Sequence, residues 1–267
     1  MSDHLGETKQ YNYRVFSERA AKGNLASVLV PTNDTSITSA ELANQLSYRA
    51  TENQTYCYLS RIDNNPSVSC FSPHGEIKRC GHGALASAAH LDTLGLLHPS
   101  ATLNYQIGHF FIRKYKGCYW LSSDSEIEVT SVNTTLASNL VETEILETSE
   151  SMGKNGYLII RLADNTDLKQ IEPDLALLER NTGQALIITS YHSNQADFDY
   201  QLRYFAPQYG VREDSATGSA NEIAAYFWQP RLKKISMACY QASKAGGYIY
   251  ANIEDNRLWI GGNVHQA

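Results

Sequence analysis

No apolar run in this 267-residue chain approaches the roughly 18–20 residues needed to cross a bilayer, and Met1 to Gln10 is polar, without the apolar stretch of a secretory signal. Membrane insertion and standard secretion are therefore not expected. Charged residues are scarce at 19%, and 28 acidic against 22 basic side chains leave a net charge of -6, so no basic field exists to attract a phosphate backbone. Nucleic acid is not an expected partner. The five cysteines, Cys57, Cys70, Cys80, Cys118 and Cys239, are odd in number and contain no CxxC pair, which indicates neither a disulfide framework nor a zinc knuckle. A reducing, cytoplasmic setting fits that usage. No Walker or dinucleotide motif precedes a helix in the required context. His74, His82, His90 and His98 recur every eight residues, whereas ligands on one helix want spacings of three or four, so no metal is expected. The 17 tyrosines scatter without basic interleaving, which suits sheet walls and not a base-stacking platform.

What is present suffices for a sizeable core: 42% of the residues are hydrophobic, and the length allows one large or two ordinary domains. Short β-branched or aromatic runs predict strands over Tyr11–Phe16, Ser27–Val30, Gln54–Leu59, Tyr157–Leu162, Ala185–Thr189 and Tyr248–Ile253. Phe198, Tyr200, Leu202 and Tyr204 alternate with Asp199, Gln201 and Arg203, the period of two that a half-buried antiparallel strand requires. Thr38 and Glu41 stand three apart ahead of Leu42 and Leu46, predicting a capped surface helix over about Ser39 to Tyr48.

Two segments are different. His82 to Leu94 and Thr217 to Trp228 are helix-length, rich in alanine through their middles, and begin with glycine and small polar residues. Both predict buried helices, and their small side chains suit helices threaded through a wrapped sheet. Aligning Gly83-Ala84 with Ser219-Ala220 superposes Ala88-Ala89 on Ala224-Ala225, a weak internal repeat that points to a duplicated unit. The crossover is expected around Ser122 to Asn133, giving an N-terminal lobe over 1–123 and a C-terminal lobe over 124–267, with the final strand able to return to the first lobe. A helix starting on glycine and small polar residues presents backbone N–H groups and a partial positive charge to an anion. Either turn alone is an ordinary helix start; two facing turns, at Cys80-Gly81-His82-Gly83 and at Asp214 to Ser219, would hold a small anionic substrate.

These residues carry a family resemblance. The chain resembles the PhzF-like phenazine biosynthesis family, within the diaminopimelate epimerase superfamily, through four segments in order: Val15-Phe16 with Lys22-Gly23-Asn24; Glu52-Asn53-Gln54-Thr55; Phe71-Ser72-Pro73 running through Glu76 into Cys80-Gly81-His82; and Phe205-Ala206-Pro207 through Gly210 and Glu213-Asp214 to Ala216-Thr217-Gly218-Ser219-Ala220. Ile260-Gly261-Gly262 looks like the fold's closing strand. The resemblance implies an α+β fold of two similar lobes, each a mostly antiparallel sheet rolled around a central buried helix, with the active site in the groove between them. It also implies a homodimer and catalysis without metal or organic cofactor. Carried over by position, the general acid/base falls on Glu52, the active-site histidine on His82, the aspartate on Asp214 and the serine on Ser219. The family's best-known activity is isomerisation of trans-2,3-dihydro-3-hydroxyanthranilate.

The chemistry stands without the family name. A carboxyl group whose pKa is raised by burial can take a proton from a carbon acidified by conjugation and return it elsewhere on the same face. Glu52 is the residue for that task, although a lone glutamate before a strand is by itself an ordinary solvated residue. The N–H groups of Gly218 and Ser219, with the Ser219 hydroxyl, would bind a substrate carboxylate, with Gly81, Gly83 and Cys80 lining the opposite turn; His82 and Asp214 would orient an amino or hydroxyl substituent. The expected activity is therefore a cofactor-independent isomerase acting on a small carboxylate-bearing unsaturated or cyclic metabolite. Two rivals stand beside it: an amino-acid epimerase or racemase, in which Cys80 would be one of two thiol bases, and a non-catalytic small-molecule binding protein. Against the thiol pair, the second-half counterpart falls at about Ser215, and an unassisted hydroxyl is too weak a base. Departures from the family pattern bear on specificity: Ser215 replaces the usual proline, Lys78-Arg79 replaces an apolar pair, Asn24-Leu25 follows Gly23, and Gly246-Gly247 stands where glycine-arginine is usual.

Overall fold

The computed structural model describes residues 8–32, 39–51, 54–60, 62, 65–124, 126–153, 156–192 and 197–267. Two compact units emerge: the residues up to Ser123 together with Gly261–Ala267, and Asp124–Ile260.

In the first unit, β1 (Thr8–Val15), β2 (Asn24–Pro31), α1 (Ser39–Arg49), β3 (Gln54–Ser60), β4 (Ser67–Ser72), β5 (Gly75–Ile77), α2 (Gly81–Thr93), β6 (Ser100–Tyr105), β7 (Gly108–Tyr115) and β8 (Cys118–Ser122) follow one another. The pairings along its sheet run β1 with β2 antiparallel, β2 with β3 parallel, β3 with β4 antiparallel, β4 with β6 parallel and β6 with β7 antiparallel. Each parallel pair requires a crossover, and α1 and α2 are those crossovers. The second unit contains β9 (Val129–Ser131), α3 (Thr135–Leu140), β10 (Ile145–Ser151), β11 (Tyr157–Leu162), α4 (Leu175–Asn181), β12 (Ala185–Tyr191), β13 (Tyr200–Phe205), α5 (Gly218–Leu232), β14 (Ser236–Gln241) and β15 (Gly247–Glu254). Its pairings repeat the same alternation: β10 with β11 antiparallel, β11 with β12 parallel, β12 with β13 antiparallel, β13 with β14 parallel, β14 with β15 antiparallel. Here α4 and α5 occupy the crossovers. The repeat aligned from Gly83-Ala84 and Ser219-Ala220 is thus a repeat of topology. β16 (Arg257–Gly262) leads the chain back, and β17 (Val264–Gln266) pairs with β1 in the first unit.

Each sheet curls around one helix and carries others outside. α2 packs against β1, β2, β3, β4, β7, β8 and β17, so its residues Gly83 to Leu91 are all buried. Alanine at 84, 86, 88 and 89 lets strands approach from every side. The other face of this sheet receives α1, whose Leu42 and Leu46 pack with Leu29, Tyr56, Tyr58 and Phe71; full burial of each leucine contributes about 1.5–3 kcal/mol. In the second unit α5 lies against β9, β14 and β15, and its Trp228 stacks on Tyr200 of β13 while its indole N–H donates to the Thr189 hydroxyl of β12. A separate apolar cluster joins Leu140 of α3 and Leu178 of α4 to Leu158, Ile160, Leu186 and Ile188 of the sheet.

The six strand expectations fall on β1, β2, β3, β11, β12 and β15, and both alanine-rich segments are buried helices. The alternating stretch needs correction. β13 is not half-buried: Gln201 and Arg203 are buried like their apolar neighbours, because β13 runs antiparallel to β12 and parallel to β14 and both polar side chains find hydrogen-bond partners. Arg203 donates to both Glu213 carboxylate oxygens and to the carbonyls of Leu168 and Ile171, and its guanidinium lies 4.8 Å from the Phe205 ring centroid. Alternation of polar and apolar residues therefore records pairing, not exposure. Thr38, the expected cap of α1, lies outside the described residues. No helix among them is long and apolar enough to cross a membrane.

The far end of α2 is fixed by His90, which is buried between Tyr11 and Tyr13 of β1: the Tyr13 hydroxyl lies 3.0 Å from Nδ1, and the Tyr11 ring centroid 4.3 Å from the imidazole. Burial lowers the His90 pKa below the ordinary 6.5 and raises that of Tyr13 to about 12. Below pH 6.5 the unfolded chain then binds a proton at this site that the folded chain resists, so His90 removes stability as pH falls through that range. Thermal unfolding from pH 7.5 to 5 should show a steeper loss in the wild type than in His90→Gln; parallel curves would refute the assignment.

Candidate active site

The first unit brings together the starts of three elements. His82, in the first turn of α2, places Nε2 2.9 Å from the Thr55 hydroxyl of β3 and Nδ1 3.5 Å from the Asn24 side-chain nitrogen of β2. The Cys80 sulfur lies 3.7 and 3.8 Å from the two ring nitrogens. The imidazole is thereby held from three sides and is half-buried. Glu52 lies outside the described residues; it stands three positions before Thr55 in the sequence.

Beneath this site lies a feature that cysteine spacing did not reveal. Cys57 of β3 and Cys70 of β4 are directly opposed across the antiparallel pair, their sulfurs 3.3 Å apart. Cys80 completes the group on the helix side. A Cβ at Gly83 would stand 2.5, 2.7 and 3.0 Å from the Cys70, Cys57 and Cys80 sulfurs, so glycine is what lets α2 seat on the three thiols. The neighbouring Cys70 thiol, then burial, pushes the Cys80 pKa well above the usual thiol value. All five cysteines are free thiols. Cys80 is a packed, protonated side chain, a poor match to a thiolate base.

In the second unit, the loop from β13 to α5 carries Asp214. The preceding Glu213 is clamped by Arg203 in a two-pronged ion pair, at 2.6 and 3.0 Å, and the Asp214 N–H donates to the Tyr204 carbonyl at 3.2 Å. The Thr217 hydroxyl donates to an Asp214 carboxylate oxygen at 2.6 Å. Thr217 is the N-cap of α5, yet its side chain makes no capping hydrogen bond; nor does Cys80, the N-cap of α2. At the start of α5, Gly218 and Ser219 therefore receive no capping hydrogen bond from the Thr217 side chain, the condition for receiving an anion there. Gly218 is buried and Ser219 half-buried, as are Gly83 and Gly81 respectively at the other start.

The departures acquire physical content here. The Ser215 carbonyl accepts from the Ser243 hydroxyl at 2.7 Å, and Ser243 also accepts from the Gly246 N–H, so the loop is tied down without proline. Lys78 is exposed, whereas Arg79 turns away to the Ser123 hydroxyl at 2.6 Å and over the Phe110 ring. Of the expected cationic pair, only the lysine projects into solvent.

A duplicated α+β unit wound on a central helix is the diaminopimelate epimerase-like fold, and structural similarity shows that fold here. A solved PhzF-family protein from Enterococcus faecalis is similar with a TM-score of 0.84, over 97% of this chain and 96% of its own, at 24% identity. A hydroxyproline epimerase from Agrobacterium vitis shares the fold more distantly, with a TM-score of 0.59 over 97% of this chain and 90% of its own, at 12% identity. The model of the phenazine biosynthesis-like (PhzC-PhzF) family matches residues 13–264, and the chain belongs to that family. Among its relatives is a protein of Halalkalibacterium halodurans named as an uncharacterized isomerase, 28% identical over 259 residues, covering 96% of this chain and 95% of the relative.

Proposed function

We propose that this protein is an isomerase that moves a proton within a small carboxylate-bearing, unsaturated or cyclic metabolite, with Glu52 as the single general acid/base. The observation that carries the reading is the start of α5, where Thr217 directs its hydroxyl at Asp214 and leaves Gly218 and Ser219 to meet a ligand. A carboxylate seated on those N–H groups would withdraw charge from the conjugated carbon skeleton as the proton departs; Asp214 and His82 are the groups proposed to orient an amino or hydroxyl substituent. A C–H acidified by conjugation needs no electron sink from outside, so the reading calls for no cofactor. Membership in the phenazine biosynthesis-like family, and a relative named as an isomerase, support the reaction class.

The two-thiol alternative meets a chemical obstacle. Inversion at carbon needs a base on each face, and here Cys80 is held protonated by Cys70 and by burial, while the corresponding second-half position in the sequence falls at about Ser215.

A thermal-shift screen of carboxylated metabolites, followed by proton exchange in heavy water on each hit, tests the proposal. Deuterium entering the ligand at carbon is the expected result, and ligands that bind without any exchange would leave only a binding protein. Ser219→Ala should weaken a carboxylate ligand about tenfold, the worth of one charge-assisted hydrogen bond, and leave its amide analogue unaffected. Equal loss for acid and amide in calorimetry removes Ser219 from the carboxylate site.

A further inference from the structure

We infer that Gln241 is a positioning residue for the candidate site, fixing the Asp214 carboxylate through the hydroxyl of Thr217. The inference rests on the reading of Asp214 as a substrate contact for its functional half, and on geometry alone for the rest.

Gln241 ends β14, paired in parallel with Leu202 of β13 and antiparallel with Gly247 of β15, and has no solvent exposure. Its side chain points under the start of α5. Oε1 accepts from the Thr217 N–H at 2.7 Å and from the Asn221 side-chain amide at 3.3 Å. Nε2 donates to the Asp214 carbonyl at 2.8 Å and to the Thr217 hydroxyl oxygen at 3.1 Å. Both amide hydrogens and both acceptor lobes are thus engaged, which is the full capacity of a glutamine.

The direction of these bonds matters. A hydroxyl has one hydrogen. Because Thr217 Oγ1 accepts from Gln241, its own hydrogen is directed to Asp214, giving a chain from Gln241 Nε2–H to Thr217 Oγ1–H to Asp214 Oδ2 that ends on the carboxylate at 2.6 Å. The backbone of the loop is held also by the Arg203–Glu213 pair and by the Asp214 N–H on Tyr204. Gln241 therefore adds orientation of the Asp214 side chain to its own two bonds on the loop backbone, and Thr217→Val separates the first role from the second. Aligned bonds of this kind strengthen one another in an enclosed setting, and leaving any member unpaired there is unfavourable. Glutamate at 241 would keep the acceptor and lose the donor; methionine would lose both.

Asp214 rotamer populations, read from three-bond N–Cγ and C′–Cγ couplings in labelled protein, test the link without any substrate. One rotamer is expected in the wild type and in Thr217→Ser, and rotamer averaging in Thr217→Val and Gln241→Met. Thr217→Val leaves Gln241 in place and decides the matter if the buried glutamine variant does not fold. An Asp214 that keeps one rotamer when the threonine hydroxyl is gone overturns the inference. The functional half uses 2-aminobenzoate, a stable carboxylate with an adjacent amino group, in calorimetric titration. Thr217→Val should weaken it about tenfold in the wild-type background and less than about twofold when Asp214 is already asparagine, since residues acting through one group are not additive. Equal losses in both backgrounds reduce Thr217 and Gln241 to a purely structural role and overturn the claim. If Asp214→Asn binds the probe as tightly as the wild type while the rotamer result holds, the reading of Asp214 as a substrate contact fails and the positioning stands.

Discussion

Glu52→Gln should abolish turnover, by a factor of about 10²–10⁴, the usual contribution of a positioned general acid or base, while ligand affinity stays within a few-fold. Glutamine preserves size and hydrogen-bonding reach but cannot hold a proton for return to carbon. The measurement is deuterium incorporation into a ligand identified by screening, run beside direct titration of the same ligand. A split between the two quantities is the signature of a group that acts in the transition state. Exchange at the wild-type rate in Glu52→Gln removes the proposed mechanism, whereas equal loss of exchange and binding makes Glu52 a ligand contact instead of a base.

The largest structural effect is expected from Gly23→Ala. Gly23 has φ +59°, and a Cβ there would fall 2.0 Å from the Val15 carbonyl oxygen, 2.8 Å from the Ser17 nitrogen and 2.9 Å from the Phe16 carbonyl carbon. All three are main-chain atoms and have no rotamer to escape into. The next residue, Asn24, opens β2 and approaches the His82 ring, so any relief by backbone shift moves the site as well. Destabilisation above about 4 kcal/mol is expected, the range kept for main-chain conflicts and lost core packing. Gly117→Ala is the internal control: its φ of +80° is strained for alanine, yet nothing lies within 4 Å of the added carbon, so only the conformational penalty of about 1 kcal/mol remains. Urea unfolding of both variants decides the point, and equal midpoints would show that the turn yields.

Much of this architecture was legible because it is written locally. Alanine-rich helix segments bounded by glycine, and short β-branched runs, depend on neighbours a few positions away, and α2, α5 and six strands follow from them. The family blocks nominated His82, Asp214 and Ser219 as candidates in the same local way. What stayed hidden depends on partners far along the chain. Nothing near Gln241 announces that its amide reaches back to Thr217, and no spacing rule brings Cys57, Cys70 and Cys80 together, because strand register and helix docking do so. The misjudged exposure of β13 has the same origin: Arg203 looks like a solvent-facing residue until Glu213 and two carbonyls are placed around it. Thr55 stood within a recognised block, but its contact with His82 required the fold.

The closing strand has a consequence for biosynthesis. β17 lies antiparallel to β1, with Tyr13 opposite Gln266 and Val15 opposite Val264; the Phe16 N–H donates to the Asn263 carbonyl and the Ala267 N–H to the Asn12 carbonyl. On the ribosome those partners leave the exit tunnel only after all of Asp124–Ile260 has been made. The edge of β1 must therefore wait, unpaired, through translation of the entire second unit, and an open strand edge is the template on which nascent chains stick to one another. A stalled or truncated product ending before Gly261 would carry that adhesive edge permanently.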